Sequence, residues 1–300
     1  MTARPLATLA AAVTGVLVGA AMVATRTVSP DASPATLAFL RYFIGMCVLA
    51  VPVFLARRTR FTPKDTSAIA GLGVLQFAVL IVLLNYALET LSAATCALIF
   101  STMPLVTMCL AVGLRREAFS PARLVGLLMA VSGVGLLLRS SLSHVSAHAA
   151  DLSALAALIG ATVIGAVCSM LYRPYLRRYP ALPTSALAMF TAVIFLGALC
   201  LATAQPLAPR LSALQWANVA FIGLSSGVGY FCWLWALGKL EASRVVAFQA
   251  LGPVTATAIE LLLDRRLPSW GLCLSAALVV AGLNVALRDE RRIRTAVGSG

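Results

Sequence analysis

Residues 84–107 read LNYALETLSAATCALIFSTMPLVT, and residues 229–254 read GYFCWLWALGKLEASRVVAFQALGPV. Each is a pair of apolar runs joined by a break of four or five residues. A single helix through either break would exceed 40 residues, about twice what one bilayer crossing needs. Each stretch is therefore the turn of a membrane hairpin. The two stretches also match at a shift of 149 residues. Tyr86-Ala87-Leu88 lies over Trp235-Ala236-Leu237, Leu91 over Leu240, Ala93 over Ala242, Pro104 over Pro253 and Gly133 over Gly282. Each proline follows its aromatic residue by 18 positions.

Outward from these hairpins the same character holds. Of the 300 residues, 61% are hydrophobic and 11% charged, with a mean hydropathy of +0.96. A water-facing surface needs about twice that charge, so lipid must cover much of the chain. Apolar runs at 6–25, 35–56, 67–87, 92–114, 121–138, 152–172, 183–203, 214–237, 243–263 and 269–287 make ten transmembrane helices. The first could pass for a signal peptide, but it is long for one and more spans follow. Five spans per repeat is an odd number, so the two repeats must be inverted. The expected organisation is an all-α integral membrane protein, with one five-helix repeat at 1–140, a second at 150–290 and a cytoplasmic tail at 291–300.

The net charge is +13. In a soluble protein that would suggest nucleic acid. Here the basic residues follow topology. With the N-terminus inside, 17 of the 23 Lys and Arg fall in inner segments, five fall in outer ones, and Arg41 lies within a span. That bias places both termini in the cytoplasm. Inner basic loops also meet anionic lipid headgroups. The seven cysteines all lie in apolar stretches without CxxC spacing and read as packing residues.

On these residues the chain resembles the drug/metabolite transporter superfamily, in its EamA-type ten-helix branch. Gly19, Pro34 and Arg41, the last within FLRY, have the family spacing. So do the two hairpin stretches, and Glu117 thirteen residues after Pro104, followed by Gly126 and Gly133. The second-half position that matches Glu117 is Arg266. The resemblance implies transport, often export, of a small metabolite or drug-like solute, with no ATP-binding part. No GxxxxGK[ST] run is present. In inverted-repeat transporters the solute site lies near the midplane between the halves.

Candidate site residues follow from what lipid disfavours. Gln76, Ser101, Thr102 and Gln249 are polar residues toward the membrane interior, with Tyr230 and Trp233 on the eighth span. Such groups face the bundle interior, either to line a cavity or to bond between helices; Ser and Thr also bond their own helix. Pro104 and Pro253 sit within spans, where proline frees a carbonyl and bends the helix. Arg41 either snorkels to headgroups or faces the cavity as a cation for an anionic solute group. Glu260 reads as part of an interfacial charge cluster with Asp264, Arg265 and Arg266, against the sharper reading of a proton-coupling carboxylate. Glu117 reads as an inner-loop structural charge. Gly223-Leu-Ser225-Ser-Gly227 matches GxSxG, but its serine is mid-helix and the two histidines, His144 and His148, lie in a distant loop, so hydrolysis is not supported. Those glycines, like Gly15 and Gly19, fit close helix packing.

The function read from the sequence is a secondary transporter, an exporter that alternates access about a midplane cavity. The alternative is a non-transporting membrane component, such as a lipid-handling or accessory subunit. No enzyme activity, cofactor or metal is expected. The expected partners are a small-molecule solute and membrane lipid, without nucleic acid; the sequence leaves a homodimer open. The expected location is a bacterial inner membrane.

Overall fold

The computed structural model describes residues 3–28, 30–55, 59–91, 96, 99–137, 150–263 and 270–297. Among them every regular element is helical, and ten helices are formed. They are α1 (Ala3–Val28), α2 (Pro34–Leu55), α3 (Pro63–Gly73, continuing through Val74–Val79 and Leu80–Thr90), α4 (Met103–Gly113) and α5 (Pro121–Leu137). The second repeat holds α6 (Ala150–Arg178), α7 (Ala181–Ala202), α8 (Ala213–Lys239), α9 (Ala242–Ala247, continuing through Phe248–Ala250 and Leu251–Leu263) and α10 (Trp270–Val297). Among the described residues, α1, α2, α3, α6, α7 and α8 are long and apolar enough to cross a membrane. Side chains such as Phe54, Leu55, Leu214, Leu262 and Trp270 stand almost fully exposed, as lipid contact allows.

Local signals set several helix starts. Thr62 caps α3 by accepting from the Asp65 amide, and Pro63 fills the first position, where no amide is needed. Ser212 and Gln215 form a capping box at the start of α8. Two helices run past their expected ends. The sixth expected span stops at 172, yet α6 continues through Pro174 to Arg178; the tenth stops at 287, yet α10 runs to Val297. Hydropathy marks where lipid contact ends, while the hydrogen-bonded helix continues into water as long as good helix formers follow.

Packing follows the inverted repeat. The first helix of each repeat lies on the third and fourth helices of the other: α1 on α8 and α9, α6 on α3 and α4. The second helix of each repeat packs on the third of the other, α2 with α8 and α7 with α3, and α2 meets α7. The fifth helices, α5 and α10, pair with each other. A Cβ on Gly126 would sit 2.5 Å from the Gly282 carbonyl oxygen, and one on Gly282 would sit 2.5 Å from that of Gly126. Gly133 approaches Ser275 in the same crossing. At the 149-residue shift Gly126 corresponds to Ser275 and Gly133 to Gly282, so the crossing is its own symmetry mate. The two repeats are thus intertwined and inverted. Successive helices alternate in direction, so Ala3 and Val297 share one end of the bundle, called here the terminal end.

Candidate functional site

Gln76 is the fourteenth residue of the 28 in α3, at mid-depth. Its segment, Val74–Val79, is π-helical, an irregularity that often marks functional positions. Gln76 is half-buried, and its Oε1 is buried without a hydrogen-bond partner. The next residue, Phe77, is fully inside the bundle and begins an aromatic chain between the repeats. Its ring lies 4.8 Å from Tyr42 of α2 and 4.2 Å, edge-on, from Tyr230 of α8. Tyr230 lies 5.5 Å from Trp233, and both meet Tyr172 of α6 edge-on at 6.2 and 6.4 Å. All five rings are buried. Edge-to-face contact at these separations is the favourable arrangement for aromatic quadrupoles.

The polar tips of this cluster are not satisfied. The indole nitrogen of Trp233 and Gln76 Oε1 are buried without hydrogen-bond partners, and the hydroxyls of Tyr172 and Tyr230 have none beyond each other. Such atoms are uncommon in a folded interior because each forfeits its hydration. Two phenols and an indole therefore carry polar tips within one aromatic region where the repeats meet, and Gln76 precedes its Phe77 on α3.

The other sequence candidates lie around this region or on the broken helices. Arg41 precedes Tyr42, its guanidinium carbon 5.5 Å from the Tyr42 ring centre, and its Nε donates to Ser226 Oγ at 2.6 Å. Ser226 is one turn before Tyr230 on α8. Glycines permit this approach: a Cβ on Gly227 would meet the Gly45 carbonyl at 2.8 Å. Ser225 donates to the Ile222 carbonyl, so the GxSxG match is a helix crossing. Pro104 and Pro253 each follow an interruption. Ser101 and Thr102 form a turn before α4 resumes at Met103, and Phe248–Ala250 is a 3₁₀ turn before α9 resumes at Leu251. Thr102 donates to the Ile99 carbonyl at 2.6 Å; Ser101 is buried and Gln249 half-buried. Gly15 of α1 packs against the interruption of α9, where a Cβ would collide with the Phe248 carbonyl.

Sequence reasoning passed over Tyr42, Phe77 and Tyr172. A usable signal existed for Tyr42, which lies within its span, because Tyr is more common at the interface than inside; Tyr172, the last residue of its expected span, carried none. Nothing in the sequence marks the π segment. Residues 92–95 and 97–98, at the start of the fourth expected span, lie outside the described residues, as do His144, His148, Asp264, Arg265, Arg266 and the side chain of Glu260.

A second buried polar assembly lies at the terminal end. Arg115 ends α4 with φ 55°, a left-handed conformation that non-glycine residues rarely adopt. The chain turns back there, with the Arg116 amide donating to the Ala111 carbonyl at 2.8 Å, and this carries Glu117 inward. Its side chain is 1% exposed. The carboxylate accepts from Arg123 Nη1 at 3.1 Å, Ser243 Oγ at 2.5 Å and the Ala242 amide at 3.0 Å, with Arg173 Nη1 at 3.6 Å. Ala242 and Ser243 open α9, so Glu117 of the first repeat caps a helix of the second. Arg123 also reaches Glu241 at 2.6 Å, and Arg244 Nε lies 2.9 Å from the same carboxylate oxygen. Glu117 is thus a buried inter-repeat tie rather than a loop charge.

Comparison with known proteins agrees with this architecture. The model of the EamA-like transporter family matches residues 5–139 and again 152–288. A protein of Archaeoglobus fulgidus described as an uncharacterized transporter is 24% identical over 269 residues, 89% of this chain and 85% of that protein. A protein of known crystal structure shares the fold with a TM-score of 0.81 at 22% identity, over 94% of this chain and 98% of its own.

Proposed function

This chain belongs to the EamA-like transporter family, a family of membrane transporters rather than enzymes, and from that premise we propose that it exports a small metabolite or drug-like solute by alternating access. The observation that carries the reading is the buried aromatic cluster with its polar tips, shared by both repeats and reaching from the middle of α3 toward the terminal end. A solute there accepts from the Trp233 indole and pairs with the phenols of Tyr172 and Tyr230, with Gln76 on the same helix as Phe77. Gln249, Ser101 and Thr102 sit on or beside the interrupted segments of α9 and α4. The interruptions ahead of Pro104 and Pro253 supply two symmetric places where these helices bend. The Glu117 assembly ties the repeats together at the terminal end, so access from that end requires its rearrangement. In this reading both termini face the cytoplasm of a bacterial inner membrane, supported by the basic residues that gather at the terminal end.

Counterflow with a solute panel in liposomes tests the proposal. Exchange of particular solutes by the parent protein, reduced in Trp233→Phe and Gln76→Leu variants that remain folded, is the expected result. Exchange that ignores both substitutions removes the cluster from the pathway. Cysteines placed at Ser143 and Ser299 in a background lacking native Cys test orientation: the first should label from outside intact cells, and the second should not.

A further inference from the structure

At the terminal end, beside the Glu117 tie, a cavity of about 430 Å³ opens between α4, the turn after it and the end of α6. It is lined by Ala111, Arg116, Glu117, Met170, Pro174 and the arginines 173, 177 and 178. Four guanidinium groups therefore share one hollow with one carboxylate, and that carboxylate is already occupied. Arg123, Ser243 and the Ala242 amide hold Glu117 at hydrogen-bond distance, whereas Arg173 stands off at 3.6 Å. Arg178 is likewise held only loosely, 3.6 Å from Asp65. Among the described residues neither Arg116 nor Arg177 forms an ion pair with a carboxylate. Arg116 and Arg177 lie near enough to Arg173 to repel it.

The fold holds these like charges in place. Pro174 sits within α6 without ending it, so Arg173, Arg177 and Arg178 remain on a helix instead of dispersing into a loop. Residues 173 and 177 are four apart and share a helix face. The left-handed Arg115 returns Arg116 to the same hollow from α4. Arg173 is only 22% exposed, so its charge is poorly screened by solvent. A cluster of this kind is stabilised by a multivalent anion whose oxygens accept from several guanidinium groups at once.

We propose that this cavity is a binding site for a phosphate group, separate from the solute site and formed by Arg116, Arg173 and Arg177. Two sources offer that group: the headgroup of an anionic phospholipid, or free inorganic phosphate. The test follows the unfolding midpoint of purified protein in nanodiscs. One arm titrates sodium phosphate into nanodiscs of phosphatidylcholine alone, against sodium chloride at equal ionic strength. The other arm replaces a graded fraction of the phosphatidylcholine with phosphatidylglycerol. A rise in midpoint above the chloride control in the first arm assigns free phosphate; a rise in the second alone assigns the lipid headgroup. In whichever arm responds, the paired substitution Arg116→Gln with Arg177→Gln should weaken the apparent affinity by about tenfold. Those side chains take no part in the Glu117 tie, so the variant folds. Lys64→Gln, at the same end but outside the cavity, should leave the response unchanged. No rise in either arm overturns the proposal, and so does a response that Lys64→Gln reduces as much as the paired variant does.

Discussion

The aromatic cluster and the terminal-end assembly both bury polar atoms between the two repeats, and they treat most of those atoms in opposite ways. At the terminal end most of the polar groups satisfy one another, Arg123 Nε being the buried exception. Glu117 accepts from a guanidinium, a hydroxyl and a backbone amide, and Arg123 serves Glu117, Ser243 and Glu241. In the cluster two phenol oxygens and an indole nitrogen are set in aromatic packing with no partner beyond it, and the nearby helix position Gln76 buries an unpartnered amide oxygen. The first arrangement stabilises one particular contact between the repeats. The second forgoes hydrogen bonds inside the bundle, and the proposed solute path runs through it.

The largest expected effect comes from breaking the satisfied region. Glu117→Gln removes the more buried of the two carboxylates that Arg123 pairs with, and losing one partner of a buried ion pair costs about 3–5 kcal/mol. The variant should lose most of its monodisperse fraction in detergent chromatography, or unfold well below the parent. If it matches the parent in both, the terminal-end assembly does not hold the repeats together.

Trp233→Phe should do the reverse. It removes an unpartnered donor while keeping a ring, so stability should stay within about 1 kcal/mol of the parent. Counterflow should fall by about tenfold, the value of one lost hydrogen bond of about 1.4 kcal/mol to the solute. The comparison between the regions collapses if Trp233→Phe destabilises the protein as much as Glu117→Gln.

Smaller effects are expected at the interruptions. Pro104→Ala and Pro253→Ala each restore an amide donor to a broken helix. Both variants should insert normally, and transport should fall severalfold. Parent rates in both would reduce the prolines to packing features. The smallest effect is Arg41→Gln. Its bond to Ser226 is a charged donor to a neutral hydroxyl at the edge of the cluster, and its loss should shift the unfolding midpoint by about 1 kcal/mol or less. A selective loss of exchange for anionic solutes would instead place Arg41 on the solute path.

Ten helices, two repeats and their inversion were legible in the chain because lipid imposes them directly. Every spanning segment must be apolar over about 20 residues, and an odd number of spans inverts the copy that follows. Helix ends were less legible: α6 and α10 run on past their apolar stretches, since helix formation and lipid contact obey different rules. Tyr230, Trp233 and Gln76 were candidates because polar tips in lipid need a reason, and tertiary structure placed Tyr230 and Trp233 with Tyr42, Phe77 and Tyr172 in one cluster. The buried position of Glu117 was not legible. Next to Arg115 and Arg116 it reads as a loop charge, and only the return of the chain at Arg115 and the approach of α9 from the other repeat bury it. Burial and hydrogen-bond satisfaction belong to what surrounds a residue, and here those surroundings come from segments more than 100 residues away. Periodicity and composition act locally and could be read from the sequence alone. Which polar atoms found partners between the repeats depended on contacts that form only when both halves are packed.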